Sequence, residues 1–192
     1  MTVRITTFIW KSTVDILRLA VLWGIVMAPP LLAAGNDSEA ASAAHDHAAP
    51  AKLVQMVRWA TQQFIDVNNA TAAGYGPFLG CVSGPDHGAM GVHYVNGALL
   101  NGELDVSHPQ ALIYEPSNGR MRLVGVEFIL DQASWLANNP SPPVLEGQVF
   151  NLIASPNRFG IPTFFELHVW AWRDNPQGDF VDWNNRVTCE GQ

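Results

Sequence analysis

The period of hydrophobic positions changes near residue 74. Before it, in AKLVQMVRWATQQFIDVNN (51–69), Leu53, Val57, Ala60, Phe64 and Val67 recur at spacings of three and four. That period predicts one helix whose apolar stripe packs on a sheet, with Trp59 and Phe64 serving the core. Gly74 and Gly76, with Pro77 beyond, end it. After Gly74 the chain turns to short extended runs separated by turn signals. GVHYVN (91–96) precedes a hairpin-like Asn101-Gly102 turn, and QALIYEP (110–116) precedes Asn118-Gly119. MRLVGVEFIL (121–130) is the longest strand candidate, and ASWLANNPSPP (133–143) opens as a helical turn before its prolines. GQVFNLI (147–153) and TFFELHVWAW (163–172) are the last strands, and a coil follows to Cys189. No internal repeat is visible. The fold class is α+β: an N-terminal helix packed on a curled antiparallel sheet or partial barrel of about five to six strands.

Polar residues interrupt these strands. In FFELHVWAW, Glu166, His168, Trp170 and Trp172 fall on one parity, with Phe165, Leu167, Val169 and Ala171 on the other. In RLVGVEFIL, Leu123, Gly125, Glu127 and Ile129 share a face opposite Val124, Val126, Phe128 and Leu130. Both faces are mostly apolar, so Glu127 belongs in a covered place. His93 likewise has small or apolar neighbours on its own face, Gly91 and Val95. A carboxylate or imidazole buried without partners is costly, whereas on the wet face of a sheet it is ordinary.

Composition narrows the classes. Only 14% of the chain is charged, which makes charges inside apolar strands informative. The first 35 residues carry Arg4, Lys11 and Arg18, then an apolar run from Leu19 to Ala34 broken by Pro29 and Pro30. This is a signal-peptide pattern (1–35), too short for a membrane span of roughly 20 apolar residues. Residues 36–50, with His45 and His47, form a flexible leader, and residues 51–192 form one α+β domain. Beyond residue 35 remain 7 of the 10 basic and 16 of the 17 acidic residues, a formal charge of −9. That sign excludes nucleic acid as a partner and disfavours stable membrane association after cleavage. Two cysteines in an exported chain, Cys81 and Cys189, predict a disulfide.

Other constellations carry less. Ser83, Asp86 and His87 in CVSGPDHGAM, a shaped loop over 81–90, have the residue types of a triad but no G-x-S-x-G elbow. Asp174, Asp179 and Asp182 resemble a calcium loop only loosely, since the spacing is wrong and Pro176 intrudes. The sequons NDS and NAT matter only in a glycosylating host.

Several segments together, ATQQFIDVNNATAAGYGPFLGCV, GAMGVHYVN, ALIYEP, LVGVEFIL and LHVWAWRDNPQGDFVDWNNRVTC, resemble a group of uncharacterised secreted bacterial proteins. The resemblance spans residues 58–189. It implies an exported bacterial protein, periplasmic or secreted, and brings no activity or site residues with it.

Three functions fit these residues. The leading one is an exported binding protein whose small ligand sits among His93, Tyr94, Glu127, Glu166, His168, Trp170 and Trp172. The second is an enzyme in which His93, Glu127 and His168 hold a divalent transition metal or act as acid and base. No H-E-x-x-H or C-x-x-C is present, because ligands on three strands leave no local motif. The third is a structural or interaction domain whose strand polar groups face water. The mutual distances and burial of His93, Glu127, Glu166 and His168 separate the three.

Overall fold

A computed structural model describes residues 51–191. The signal-peptide reading (1–35) and the leader (36–50) lie outside the described residues. Among the described residues no helix is long and apolar enough to cross a membrane.

The helical run is not one helix. Helix α1 (Lys52–Thr61) buries Leu53 and Val57 of the predicted stripe, but Val54 and Thr61 join them in place of Ala60, which is only partly buried. A 3₁₀ turn, Gln62–Ile65, follows, and α2 (Val67–Ala72) starts afresh. Asp66 makes the break. Its backbone is extended, and its carboxylate accepts from Asn68 N at 2.9 Å, which caps α2. Phe64 is buried, as expected, but Trp59 is 73% exposed because it lies off the stripe.

Six strands form one antiparallel, curled sheet in the order β1-β2-β3-β4-β8-β7. They are β1 (Gly76–Gly84), β2 (Gly88–Val95), β3 (Ala111–Ser117), β4 (Arg120–Asp131), β7 (Asn151–Ile153) and β8 (Phe164–Val169). Helix α3 (Gln132–Leu136) follows β4, and a separate two-stranded ribbon pairs β5 (Val144–Leu145) with β6 (Gln148–Val149). The α+β reading therefore holds, with corrections at its joints. The supposed loop over 81–90 is a hairpin: Cys81 to Gly84 belong to β1, and Asp86 turns its tip at φ 68°. Asn118-Gly119, both at positive φ, is the hairpin turn joining β3 to β4. Asn101-Gly102 joins no strands; a long connection with a 3₁₀ turn, Gly97–Leu99, separates β2 from β3. The run 147–153 splits at Phe150, whose buried side chain joins the main core.

The sheet's two faces differ. One packs beneath the helices, with Leu53, Val57 and Phe64 against Leu112, Tyr114, Val126, Phe128, Leu167 and Val169. The other holds a smaller apolar cluster, Ala89, Ile113, Val124, Trp170 and Val187, closed by the C-terminal coil. That coil is tied down by the Cys81–Cys189 disulfide, which spans 108 residues, and by a bridge between Ala89 and Asn184. A β-bulge decides which β4 side chains face which way. Ile113 pairs with Gly125 but Tyr114 with Leu123, so Val124 is the extra residue. Leu123 thus turns to the helix face and Val124 away from it, the reverse of simple alternation.

Candidate metal centre

The face away from the helices carries the unusual residues. Three strands contribute. His93 comes from β2, Glu127 from β4 and His168 from β8, where Glu127 and His168 are direct cross-strand partners. His93 reaches them across β3. There Ile113 pairs with His93, and Ala111, whose small side chain leaves room, pairs with Glu127. The sheet's curl brings all three side chains to one point. Nε2 of His93 lies 3.4 Å from Nε2 of His168 and 3.3 Å from Oε2 of Glu127. The three donor atoms lie within 4.8 Å of one another. Two ligands bonded tetrahedrally at ~2.0–2.2 Å to one ion stand roughly 3.3–3.6 Å apart.

All three side chains are buried, His168 to 1% exposure. Burial drives the His93 imidazole down to about 4. It drives His168 well below its ordinary range, with the neighbouring His93 adding to the effect. Burial raises Glu127 and Glu166, and for Glu166 the Glu127 charge adds a further rise. Burial thus disfavours a charged ion pair here. It favours neutral imidazoles and makes both carboxyls harder to ionise. Neutral imidazole is the form that binds a metal, and a cation offsets the penalty on the carboxylate.

A cavity of about 40 Å³ opens against these three side chains. Its other walls are apolar: Phe78, Leu79 and Val82 from β1, Ile129 from β4, Phe159 and Ile161 from the approach to β8, and Phe164 from β8 itself. A water needs ~10–15 Å³ of such space, so the cavity has room for a few water-sized molecules. Leu79, at its mouth, is half exposed and sits at φ 58°, a region an ordinary residue enters at a cost.

The seven residues expected to line one pocket therefore divide. His93, Glu127 and His168 meet at the cavity. Glu166 lies beside them, with Oε1 4.0 Å from His168 Nδ1. Trp170 shares their face and stacks on His168 at 6.1 Å, but it is off the cavity, in the smaller apolar cluster, donating to the Val181 carbonyl. Tyr94 and Trp172 are on the other face. Tyr94 follows His93 by one residue, so the pleat turns it to the helix side against Tyr114. Trp172 misses because β8 ends at Val169: Ala171 N bonds back to Val169 O at 2.9 Å, breaking the alternation. Its indole then donates to Thr61 Oγ1 of α1 at 3.0 Å.

Asp182, read earlier only as one of three loop acids, points at this site, 3.9 Å from His168 Nδ1. No pattern marks it, since a coil rather than a strand carries it there. Asp174 instead pairs with Arg186 at the surface, and among the described residues it does not gather with Asp179 and Asp182. Among the described residues no hydrogen bond joins Ser83, Asp86 and His87; His87 packs on Trp183. No protein-family model, curated protein or solved structure matches this chain.

Proposed function

We propose that this chain is an exported metal-binding protein, with a divalent transition metal held by His93 Nε2, His168 Nε2 and Glu127 Oε2. The observation that carries the reading is the pair of distances among these buried donors, 3.4 Å and 3.3 Å. Two imidazoles and one carboxylate suit zinc, or iron in the ferrous state, and leave open coordination positions. The disulfide supports export, since such bonds persist in oxidising compartments.

The ligand-binding expectation is thereby narrowed to an ion and what the ion exchanges. The open positions face an apolar cavity of about 40 Å³, so the exchangeable partner is water or a molecule of similar size. A bound cation would supply Lewis acidity there and lower the pKa of a bound water. The chain's own part is to hold the two imidazoles neutral and the donors dry, and to keep bulk water out with Phe78, Phe159 and Phe164.

Titration calorimetry tests this on chelator-stripped protein with zinc. His93→Ala and Glu127→Gln are each expected to lose one equivalent of tightly bound zinc relative to the wild type. A stoichiometry equal to wild type in both variants would sink the reading.

A further inference from the structure

His168 has two ring nitrogens, and only Nε2 belongs to the centre above. Nδ1 faces a different group, 4.0 Å from Glu166 Oε1 and 3.9 Å from Asp182 Oδ1. These donors also lie within 4.8 Å of one another. Both distances are too long for a direct hydrogen bond. Glu166 Oε1 and His168 Nδ1 are, among the described residues, the buried side-chain polar atoms without a hydrogen-bond partner. Both side chains are 1% exposed. Buried polar groups are otherwise almost always satisfied; Glu166 also faces the Glu127 and Asp182 carboxyls, but nothing bonds His168 Nδ1, which points to something that belongs between it and the carboxyls.

The group has its own access. Asp182 is 26% exposed, and together with Asn151 and Trp183 it lines an outer cleft of about 390 Å³. Asn151 Nδ2 donates to Asp182 Oδ1 at 3.1 Å, which orients the carboxylate. Neither Glu166 nor Asp182 lines the apolar cavity. An ion arriving here comes through the cleft.

We propose that Glu166, Asp182 and His168 Nδ1 form a second divalent-cation position, so that His168 bridges two metal ions. The inference rests on the first centre being a metal site. Two carboxylates and one imidazole suit a borderline cation such as zinc or manganese. The separations of 3.9 and 4.0 Å exceed the roughly 3.3–3.6 Å of tetrahedral zinc. Both carboxylates therefore move toward His168 Nδ1 on binding, which for Asp182 its place in a coil permits. For both nitrogens to bind, His168 gives its remaining ring proton to solvent and becomes an imidazolate between two cations, and Glu166 binds as the carboxylate, its proton likewise going to solvent. No electron moves.

Native mass spectrometry of the chelator-stripped full chain titrated with zinc tests the proposal. Two ions are expected in the wild type and one in Asp182→Asn, with Glu166→Gln as a second variant of the same prediction. Circular dichroism checks that each variant is folded. Any other pair of counts for wild type and folded variant overturns the second position. Glu127→Gln is run alongside: a zinc count equal to wild type there means that the first centre has failed instead. Copper(II) adds a signature that a merely structural Asp182 would not move. A bridged pair couples its spins, so the doubly loaded wild type loses resonance intensity that Asp182→Asn retains.

Discussion

His93 and His168 are 75 residues apart in sequence, yet their Nε2 atoms stand 3.4 Å from each other. Their rings are perpendicular, at 90°. Two neutral imidazoles gain little by facing nitrogen to nitrogen in a buried place. One must donate to the other, and Glu127 Oε2 crowds the same His93 nitrogen at 3.3 Å. A cation between them would give all three donors one partner.

Removing either imidazole breaks the centre. His93→Ala and His168→Ala should each weaken zinc binding by more than about a hundredfold, beyond the cost of losing an outer partner. A competitive chelator titration reads the affinity directly. A loss below tenfold would mean that the substituted residue is not a ligand.

How far was this legible in the chain? Alternation sufficed for His93, Glu127 and His168, because each sits mid-strand where the pleat is regular. It failed at strand ends and bulges. The extra residue Val124 reversed the faces of its neighbours, and the turn after Val169 carried Trp172 to the helix side. Neither event leaves a local mark, since both depend on what packs across the sheet. Asp182 was invisible as a partner because the coil that carries it takes its place from tertiary contacts.

The disulfide should dominate the stability of the domain. It closes a loop of 108 residues, which in the chain-entropy picture contributes on the order of 4–5 kcal/mol. Cys81→Ser with Cys189→Ser should lower the urea midpoint by a corresponding amount. An unchanged midpoint would show that the coil is held by its other contacts alone.

Gly91 is a position that tolerates no side chain. Its φ is +100°, and an added Cβ would lie 2.7 Å from the Tyr114 carbonyl oxygen. The backbone must part there, two residues from His93. Gly91→Ala should cost at least about 2 kcal/mol, from strain plus overpacking. Denaturant unfolding measures it, and a loss under 0.5 kcal/mol, the usual scale of a surface change, would contradict the close packing.

Alkaline pH should unfold the domain earlier than its surface residues require. Burial raises the Tyr75 phenol to about 12, and its hydroxyl donates to the Pro109 carbonyl at 2.8 Å. The folded pKa lies above the unfolded value near 10. The contribution is therefore fully present below pH 10 and is lost as pH rises toward 12. Tyr75→Phe should be less stable at pH 7 and should lose less between pH 10 and 12. Parallel loss in both proteins over that window would assign the alkaline transition elsewhere.

The central claim is a position in space, and anomalous diffraction tests it most directly. Crystals of zinc-loaded protein, measured on both sides of the zinc absorption edge, locate the ion without assumption. The account predicts a strong anomalous peak ~2.0–2.2 Å from the Nε2 atoms of His93 and His168 and from a Glu127 oxygen. Zinc density confined to other places, such as the His45 and His47 tract, with none between these three side chains, would contradict it.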